Sequence, residues 1–104
     1  MTIRWTRLAL NDFEQAHDFI AQDDPESAHK IAQRILDATG KLLKFPRIGR
    51  IGEDEDTWEW IVPKTPYMLI YTIKEDAIEL LWVWGICPRI VDKIRGPYSD
   101  LHSR

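Results

Sequence analysis

Short runs rich in β-branched, aromatic and other apolar residues occur near the start of the chain and in its second half, and apolar residues recur at helical spacing between them. Residues 2–5 are β-branched and aromatic, which predicts a short strand. Stretches at 58–62, 67–73 and 77–84 predict three more strands. Because the connections between these three are short, neighbours should pair antiparallel. The second half is therefore expected to form a meander.

Between these parts, apolar residues recur at helical spacing in two stretches. The first helix is expected to begin after Thr6, whose hydroxyl can cap the first turn, and to end near Asp23. The second restarts at Asp24, a good N-cap, with Pro25 at the first helical position, and its pattern ends at Pro46. Two amphipathic helices with so short a connection form an antiparallel hairpin.

The apolar side of each helix predicts a surface that has to be buried. The expected core positions are Leu8, Phe13, Ala16 and Ile20 in the first helix and Ala28, Ile31, Ala32, Ile35, Leu36, Leu42 and Leu43 in the second. Residues 45–56, with two glycines and the acidic run 53–56, are expected to be a loop. The predicted fold is α+β: an N-terminal strand, an antiparallel helix hairpin and a three-stranded antiparallel meander, forming a small sheet covered by the helices.

Length and composition fit one domain. The chain has 104 residues, of which 44% are hydrophobic and 30% charged, so we expect a single domain over 1–104, with a core of about 2–85 and a tail at 88–104. No apolar run approaches the ~20 residues that span a bilayer, and the start does not resemble a signal peptide. The single cysteine, Cys87, excludes an internal disulfide. These observations predict a cytoplasmic protein without a membrane partner.

Charge and motif content narrow the classes of function. Fourteen Lys and Arg against 17 Asp and Glu give a net charge of −3, whereas nucleic-acid-binding domains usually carry a basic excess. A local basic patch stays open, because Arg47 and Arg50 flank a glycine, Lys64 lies in a hairpin turn and Arg89 lies in the tail. The three histidines lack metal-site spacing, and no phosphate loop or catalytic triad motif is present, so neither metal nor cofactor is expected.

Five tryptophans are an unusual number for this length. Trp58 and Trp60 should point to one side of their strand, and Trp82 and Trp84 to one side of theirs. Neighbouring strands could join the two pairs in one aromatic cluster. Such a cluster is either an interaction surface or part of the core, and the core is the favoured interpretation for at least two of the four.

Four short motifs follow one another in register along most of the chain. They read Trp5-Thr6-x-x-Ala9-x-x-Asp12-Phe13-Glu14, Phe19-Ile20-Ala21-x-x-x-Pro25-x-x-Ala28, Phe45-Pro46-x-x-Gly49-Arg50 and Thr65-Pro66-Tyr67-x-x-x-Tyr71. Together, over about residues 3–84, they resemble the RelE/ParE superfamily of toxins from bacterial type II toxin–antitoxin systems. The resemblance implies a toxin that is held inactive by an antitoxin, whose extended or helical segment wraps it.

Members of this superfamily have two activities. RelE-like members enter the ribosomal A site and cut mRNA, whereas ParE-like members inhibit DNA gyrase. RelE-like nucleases carry Lys and Arg along the sheet face, where fixed positive charge stabilises the transition state at the scissile phosphate. The comparable positions here are Glu59, Ile61 and Met68, and Trp82 and Gly85 stand where many relatives have Arg and His. The chain therefore resembles ParE-like members more closely.

The resemblance implies a growth-inhibiting toxin, of the kind involved in plasmid stabilisation, that is neutralised by a cognate antitoxin and acts by binding DNA gyrase rather than as an enzyme. The alternatives are a ribosome-dependent mRNA endonuclease, which would meet the ribosome with its mRNA, and a non-toxic member that retains only antitoxin binding. A homodimer is left open. The candidate catalytic residues are Arg50, Lys64, Tyr67 and Arg89, and the candidates for binding the target or the antitoxin are Trp82, Trp84, Arg47, Arg50 and Arg89.

Overall fold

Two helices lie on one face of a five-stranded sheet in the computed structural model, which describes residues 1–85. The elements are β1 (Thr2–Trp5), α1 (Arg7–Asp23), α2 (Pro25–Lys44), β2 (Arg50–Ile51), β3 (Trp58–Ile61), β4 (Tyr67–Ile73) and β5 (Ala77–Gly85). The strand order is β1-β5-β4-β3-β2, with β1 parallel to β5 and the other pairs antiparallel. This confirms the predicted α+β fold and its meander.

Both helices begin where the sequence places their caps. The Thr6 hydroxyl accepts a hydrogen bond from the Ala9 amide at 3.1 Å. At the start of α2, the Asp24 carboxylate accepts from the Ser27 amide at 3.1 Å and from the Ser27 hydroxyl at 2.6 Å. These hydrogen bonds lower the pKa of Asp24 below its ordinary value, since they favour the ionised form. Asp24 is also the residue that ends α1, so its cap fixes the tight turn between the two helices.

The core lies between the hairpin and the face of the sheet that it covers. Its buried members are Ala9, Ala16, Ile35, Ala38 and Leu42 from the helices and Val62, Tyr67, Leu69, Tyr71, Ile78, Leu80 and Val83 from the sheet side. The predicted core positions Leu8 and Leu36 are wrong, because these side chains are 57% and 44% exposed. Successive helical residues point about 100° apart, and Ala9 and Ile35 already take the buried directions beside them.

The sequence predicts a loop over residues 45–56, but part of this segment forms a strand. Arg50 and Ile51 pair with Glu59 and Trp58 and form the edge strand β2. A strand of two residues carries no alternation from which it could be predicted. Gly49 permits the close approach, because a Cβ there would collide with the Glu59 carbonyl oxygen.

The described residues include no candidate for a membrane-spanning helix or for a metal site. Over residues 1–85 neither helix combines the length and the apolar character needed to cross a membrane. In the same range, no three His, Cys, Asp or Glu side chains converge in a way that could hold a metal ion. The predicted tail at 88–104, with Arg89, lies outside the described residues.

Alanine substitutions should distinguish the buried side of α2 from its exposed side. Ile35→Ala and Leu69→Ala each remove a buried side chain and should lower the free energy of unfolding by about 2–5 kcal/mol. Leu36→Ala, next to Ile35 on the exposed side, is the control and should cost less than about 1 kcal/mol. Denaturant unfolding measures all three, and equal losses for Ile35→Ala and Leu36→Ala would contradict this packing.

Candidate functional site

The face of the sheet opposite the helices is the candidate functional site, and we call it the open face. Strand alternation and register assign to it Arg4, Glu79, Trp82, Trp84, Met68, Ile70, Thr72, Glu59, Ile61 and Arg50. Met68 and Ile70 lie in the central strand β4 and are buried, flanked in register by neighbours on β3 and β5. The open face therefore has an apolar centre with charged residues toward its edges.

A β-bulge in β5 decides which side chains reach the open face. The register between β4 and β5 shifts by one residue, and Leu81 is the extra one. In an unbroken strand Trp82 and Trp84 would share the face of Leu80, which is buried under the helices. The bulge turns the two tryptophans to the open face, while Leu80 and Val83 both stay in the core.

Helix α1 supplies hydrogen bonds to the backbone at the bulge. The Thr6 hydroxyl, which caps α1, also donates to the Leu81 carbonyl at 3.1 Å. The Val83 amide donates to the Asp12 carboxylate at 3.1 Å. β1 pairs with only the first part of β5, so these side chains act as partners where the neighbouring strand has ended. The start of α1 and the bulge therefore depend on each other.

The four strand tryptophans do not form the single cluster that the sequence left possible. Trp58 and Trp60 lie on the covered face and pack against the core. Trp82 and Trp84 lie on the open face, with ring centroids 5.9 Å apart and planes tilted by 36°. β4 separates the two strands, and the bulge puts the pairs on opposite faces. The core interpretation is confirmed for Trp58 and Trp60.

The charged groups of the open face are largely matched. Arg50 places both Nε and Nη2 at 3.1 Å from Oε1 of Glu59, whose side chain is mostly buried. On the other edge, Arg4 lies 3.9 Å from Asp76, and Glu79 is its register neighbour. Each described cation of this face thus has a carboxylate nearby, which leaves little net positive charge to hold a phosphate.

A buried tyrosine holds the segment that carries Arg50. The Tyr71 hydroxyl donates to the Pro46 carbonyl at 2.7 Å, between the end of α2 and β2. Burial raises the pKa of this phenol above its ordinary value, and a hydrogen bond with the Gly49 backbone partly opposes the rise. The contact anchors the segment before β2 to the core, and pairing with β3 then sets the position of Arg50.

The structure separates the residues predicted for the site. Trp82, Trp84 and Arg50 lie on the open face, the two tryptophans in β5 and Arg50 at the opposite edge. Tyr67 lies on the covered face and is 1% exposed, so it belongs to the core. Lys64 lies in the exposed turn between β3 and β4, where its carbonyl accepts a hydrogen bond from Arg34 at 3.1 Å.

Arg47 lines a depression near the end of α2, outside the open face. Arg89 lies outside the described residues.

Sequence reasoning missed the contribution of Asp12 and the pairing of Glu59. Asp12 belongs to the opening motif, but its spacing along α1 gives no indication of a contact with an amide 71 residues away. Glu59 was weighed only as a replaced basic residue. The cross-strand ion pair with Arg50 becomes visible only when β2 is recognised as a strand.

Comparisons with known proteins agree with this fold. The family model described as "ParE toxin of type II toxin-antitoxin system, parDE" matches residues 3–85. The chain is 36% identical over 81 residues to a Sinorhizobium fredii protein named "Putative toxin Y4kP", covering 78% of this chain and 83% of that protein. It is 29% identical over 77 residues to Toxin RelE2 of Caulobacter vibrioides, covering 74% and 85%.

A solved structure of the chromosomal ParDE TA system from P. aeruginosa shares the fold. Its TM-score is 0.77 at 23% sequence identity, and the match covers 84% of this chain and 97% of that one. The fold and the matched residues together define a small α+β toxin of a type II toxin–antitoxin system, a class in which each toxin has an antitoxin partner. The chain belongs to the ParE toxin family, which confirms the resemblance seen in the four motifs.

Removal of the Tyr71 hydroxyl should change both stability and its dependence on pH. Tyr71→Phe leaves the Pro46 carbonyl without this donor and should cost about 1–3 kcal/mol at neutral pH. Because the folded pKa is raised, this tyrosine supplies stability below the unfolded pKa of about 10 that is lost as pH rises through the folded pKa. Unfolding of both proteins across this alkaline range should show a shallower decline for Tyr71→Phe. Identical slopes of stability against pH for the two proteins would contradict the raised pKa of Tyr71.

The dependence of the bulge on α1 can be tested at Thr6. Thr6→Val removes the cap of α1 and the donor to Leu81, and should lower the free energy of unfolding by about 1–3 kcal/mol. It should also change the circular dichroism signal from the coupled Trp82 and Trp84 rings. Thr39→Val, which removes a hydroxyl bonded to the Leu36 carbonyl, is the matched control. An unaltered tryptophan signal in Thr6→Val would show that the bulge holds without α1.

Proposed function

We propose that this toxin acts by binding DNA gyrase in the cytoplasm, and that its cognate antitoxin neutralises it by covering the toxin's exposed apolar surface. The observation that carries the proposal is the composition of the open face. Its aromatic pair, Trp82 and Trp84, borders the apolar centre, and its charges are matched. A face of this kind suits a protein partner better than the phosphates of an RNA chain.

Indole rings are frequent energetic centres of protein interfaces, because each buries a large area and loses little conformational freedom. The ring pair of Trp82 and Trp84 is partly exposed and lies on the part of β5 that pairs with β4, so a partner meets a surface that is already formed. Membership in the ParE family supports gyrase as the partner, since ParE-like toxins inhibit that enzyme. This contact requires no catalytic group from the toxin.

Neutralisation by the antitoxin is supported by apolar surface elsewhere on the molecule. The exposed large hydrophobic residues include Met1, Leu8, Leu10, Leu36, Phe45, Ile48, Ile51 and Ile61. They occur before β1, on both helices, after the end of α2 and at the edge formed by β2 and β3. Met1, Phe45 and Ile48 line one depression, and adjoining exposed apolar groups of this kind are typical of a surface that a partner covers. The free toxin should therefore aggregate more readily than the complex.

A ribosome-dependent mRNA endonuclease is the second candidate function. The relative named Toxin RelE2 supports it, and so does the contact of Arg50 with Glu59, which places a guanidinium and a carboxylate side by side on the open face. A carboxylate can act as a general base, and a guanidinium can stabilise a phosphate in its transition state. For either role, the ion pair has to open toward the RNA.

Truncation of the aromatic pair should abolish the action on gyrase. With purified DNA gyrase, the wild-type toxin should inhibit supercoiling, and Trp82→Ala and Trp84→Ala should each weaken inhibition about tenfold or more. Ile51→Ala removes an exposed apolar side chain of the β2 edge and is the control, expected to inhibit as wild type does. Unfolding curves of each variant show whether the loss comes from binding rather than from folding.

Pulse-labelling after induced expression separates the candidate functions in cells. DNA synthesis should fall before protein synthesis if gyrase is the target. An earlier fall in protein synthesis, with mRNA cleavage on ribosomes that is lost in Arg50→Gln, would instead establish the endonuclease. If neither falls while the folded protein is present, the chain is a family member that retains antitoxin binding alone.

A further inference from the structure

A separate depression lies at the C-terminal end of α2. It has a volume of about 800 Å³ and lies between the last turn of α2, the segment that follows it and the end of β4. Phe45, Ile48 and Ile73 contribute apolar surface, and Lys41, Lys44 and Arg47 contribute the charged groups. This volume is in the range of pockets that accept small ligands or single anchoring side chains.

The apolar part of the depression is open to solvent. Phe45 is 57% exposed and Ile48 is 37% exposed, although both lie next to segments that the core holds in place. The Ile48 amide donates to the Phe45 carbonyl at 3.0 Å, and the Tyr71 hydroxyl fixes Pro46 between them. The exposed side chains of Phe45 and Ile48 are therefore carried by a backbone that hydrogen bonds hold in place, as in a preformed binding pocket.

The charge of the depression is opposite to that of the molecule. The chain as a whole carries −3. Among the described residues that line the depression, every charged side chain is a cation: Lys41, Lys44 and Arg47. Lys41 and Lys44 also stabilise the C-terminal end of α2, whose carbonyls carry partial negative charge. That role does not account for Arg47, which follows the helix, or for the exposed Phe45.

We propose that this depression receives an acidic segment of the antitoxin, with one apolar side chain seated against Phe45 and Ile48 and carboxylates paired to Lys41, Lys44 and Arg47. The inference rests on the proposed neutralisation by an antitoxin, and it adds where one part of the antitoxin binds and what chemistry that part has. An apolar centre ringed by charges is the usual arrangement of a protein interface.

Two other occupants fit less well. A second copy of this chain could offer its acidic run 53–56 to the three cations, but that run contains no apolar side chain to seat against Phe45 and Ile48. A nucleic acid would match the three cations, but its phosphates would continue beyond the depression over a molecule whose net charge is −3, which a short acidic segment does not have to do.

The test compares matched variants of the full chain for binding to its cognate antitoxin by titration calorimetry. The triple variant Lys41→Gln, Lys44→Gln, Arg47→Gln removes the cations, and Phe45→Ala removes the apolar anchor. The triple variant Arg7→Gln, Lys30→Gln, Arg34→Gln gives the same net charge from exposed positions elsewhere, and Gln15→Ala removes an exposed side chain of α1. Both variants of the depression should weaken binding about tenfold or more, and both controls should stay within about threefold.

Salt and crosslinking give two further readouts. The wild type and the control triple variant should lose affinity with salt more steeply than the triple variant of the depression. A photoreactive phenylalanine at position 45 should crosslink to an antitoxin peptide of net negative charge.

The results distinguish this inference from the function on which it rests. If wild type does not bind the antitoxin, the proposed neutralisation is wrong and this inference with it. If wild type binds and the variants of the depression bind equally well, only this inference is wrong. A crosslink to a second copy of the chain, or a loss of single-stranded RNA binding in the triple variant at unchanged antitoxin affinity, would assign the depression to another occupant.

Discussion

The hydrogen bonds from α1 to the bulge of β5 are the contact on which both faces of the sheet depend. Thr6 uses one hydroxyl twice, accepting from Ala9 to cap the helix and donating to the Leu81 carbonyl. The Asp12 carboxylate, six residues after Thr6, accepts a hydrogen bond from the Val83 amide. These bonds satisfy backbone groups beyond the end of β1, where an unpaired edge would be costly. The same bulge leaves Leu80 and Val83 in the core and turns the Trp82–Trp84 pair outward.

A second constraint acts at the opposite edge of the sheet. The Tyr71 hydroxyl ties the segment after α2 to the core, and Gly49 lets that segment approach β3 closely enough for β2 to pair. Arg50 is thereby placed against Glu59, and the edge loses most of its positive potential. On the other side of the anchored segment, the same backbone presents Phe45 to solvent. One tyrosine therefore supports both a neutral open face and a cation-lined depression.

These arrangements connect the structure to the action of a ParE-family toxin. The open face offers an aromatic, nearly neutral surface, and the depression at the end of α2 offers an apolar anchor with positive charge. The proposals assign the first surface to the target and the second to part of the antitoxin. Because the two surfaces have different charge, salt should affect the two interactions differently. The antitoxin can therefore bind such a toxin at a surface other than the one that contacts the target.

The order of the elements other than β2, the helix caps and the α+β class follow from the sequence alone, and the caps do so because Thr6 and Asp24 act through bonds within a few residues. The family also follows, since its motifs lie in register along the chain. The tertiary structure alone decided the rest. Period-two alternation pairs Trp82 with Trp84, but only the extra residue at Leu81 determines which face they reach. The partners of Arg50 and Tyr71 are nine and 25 residues away, and periodicity does not encode contacts across strands and loops.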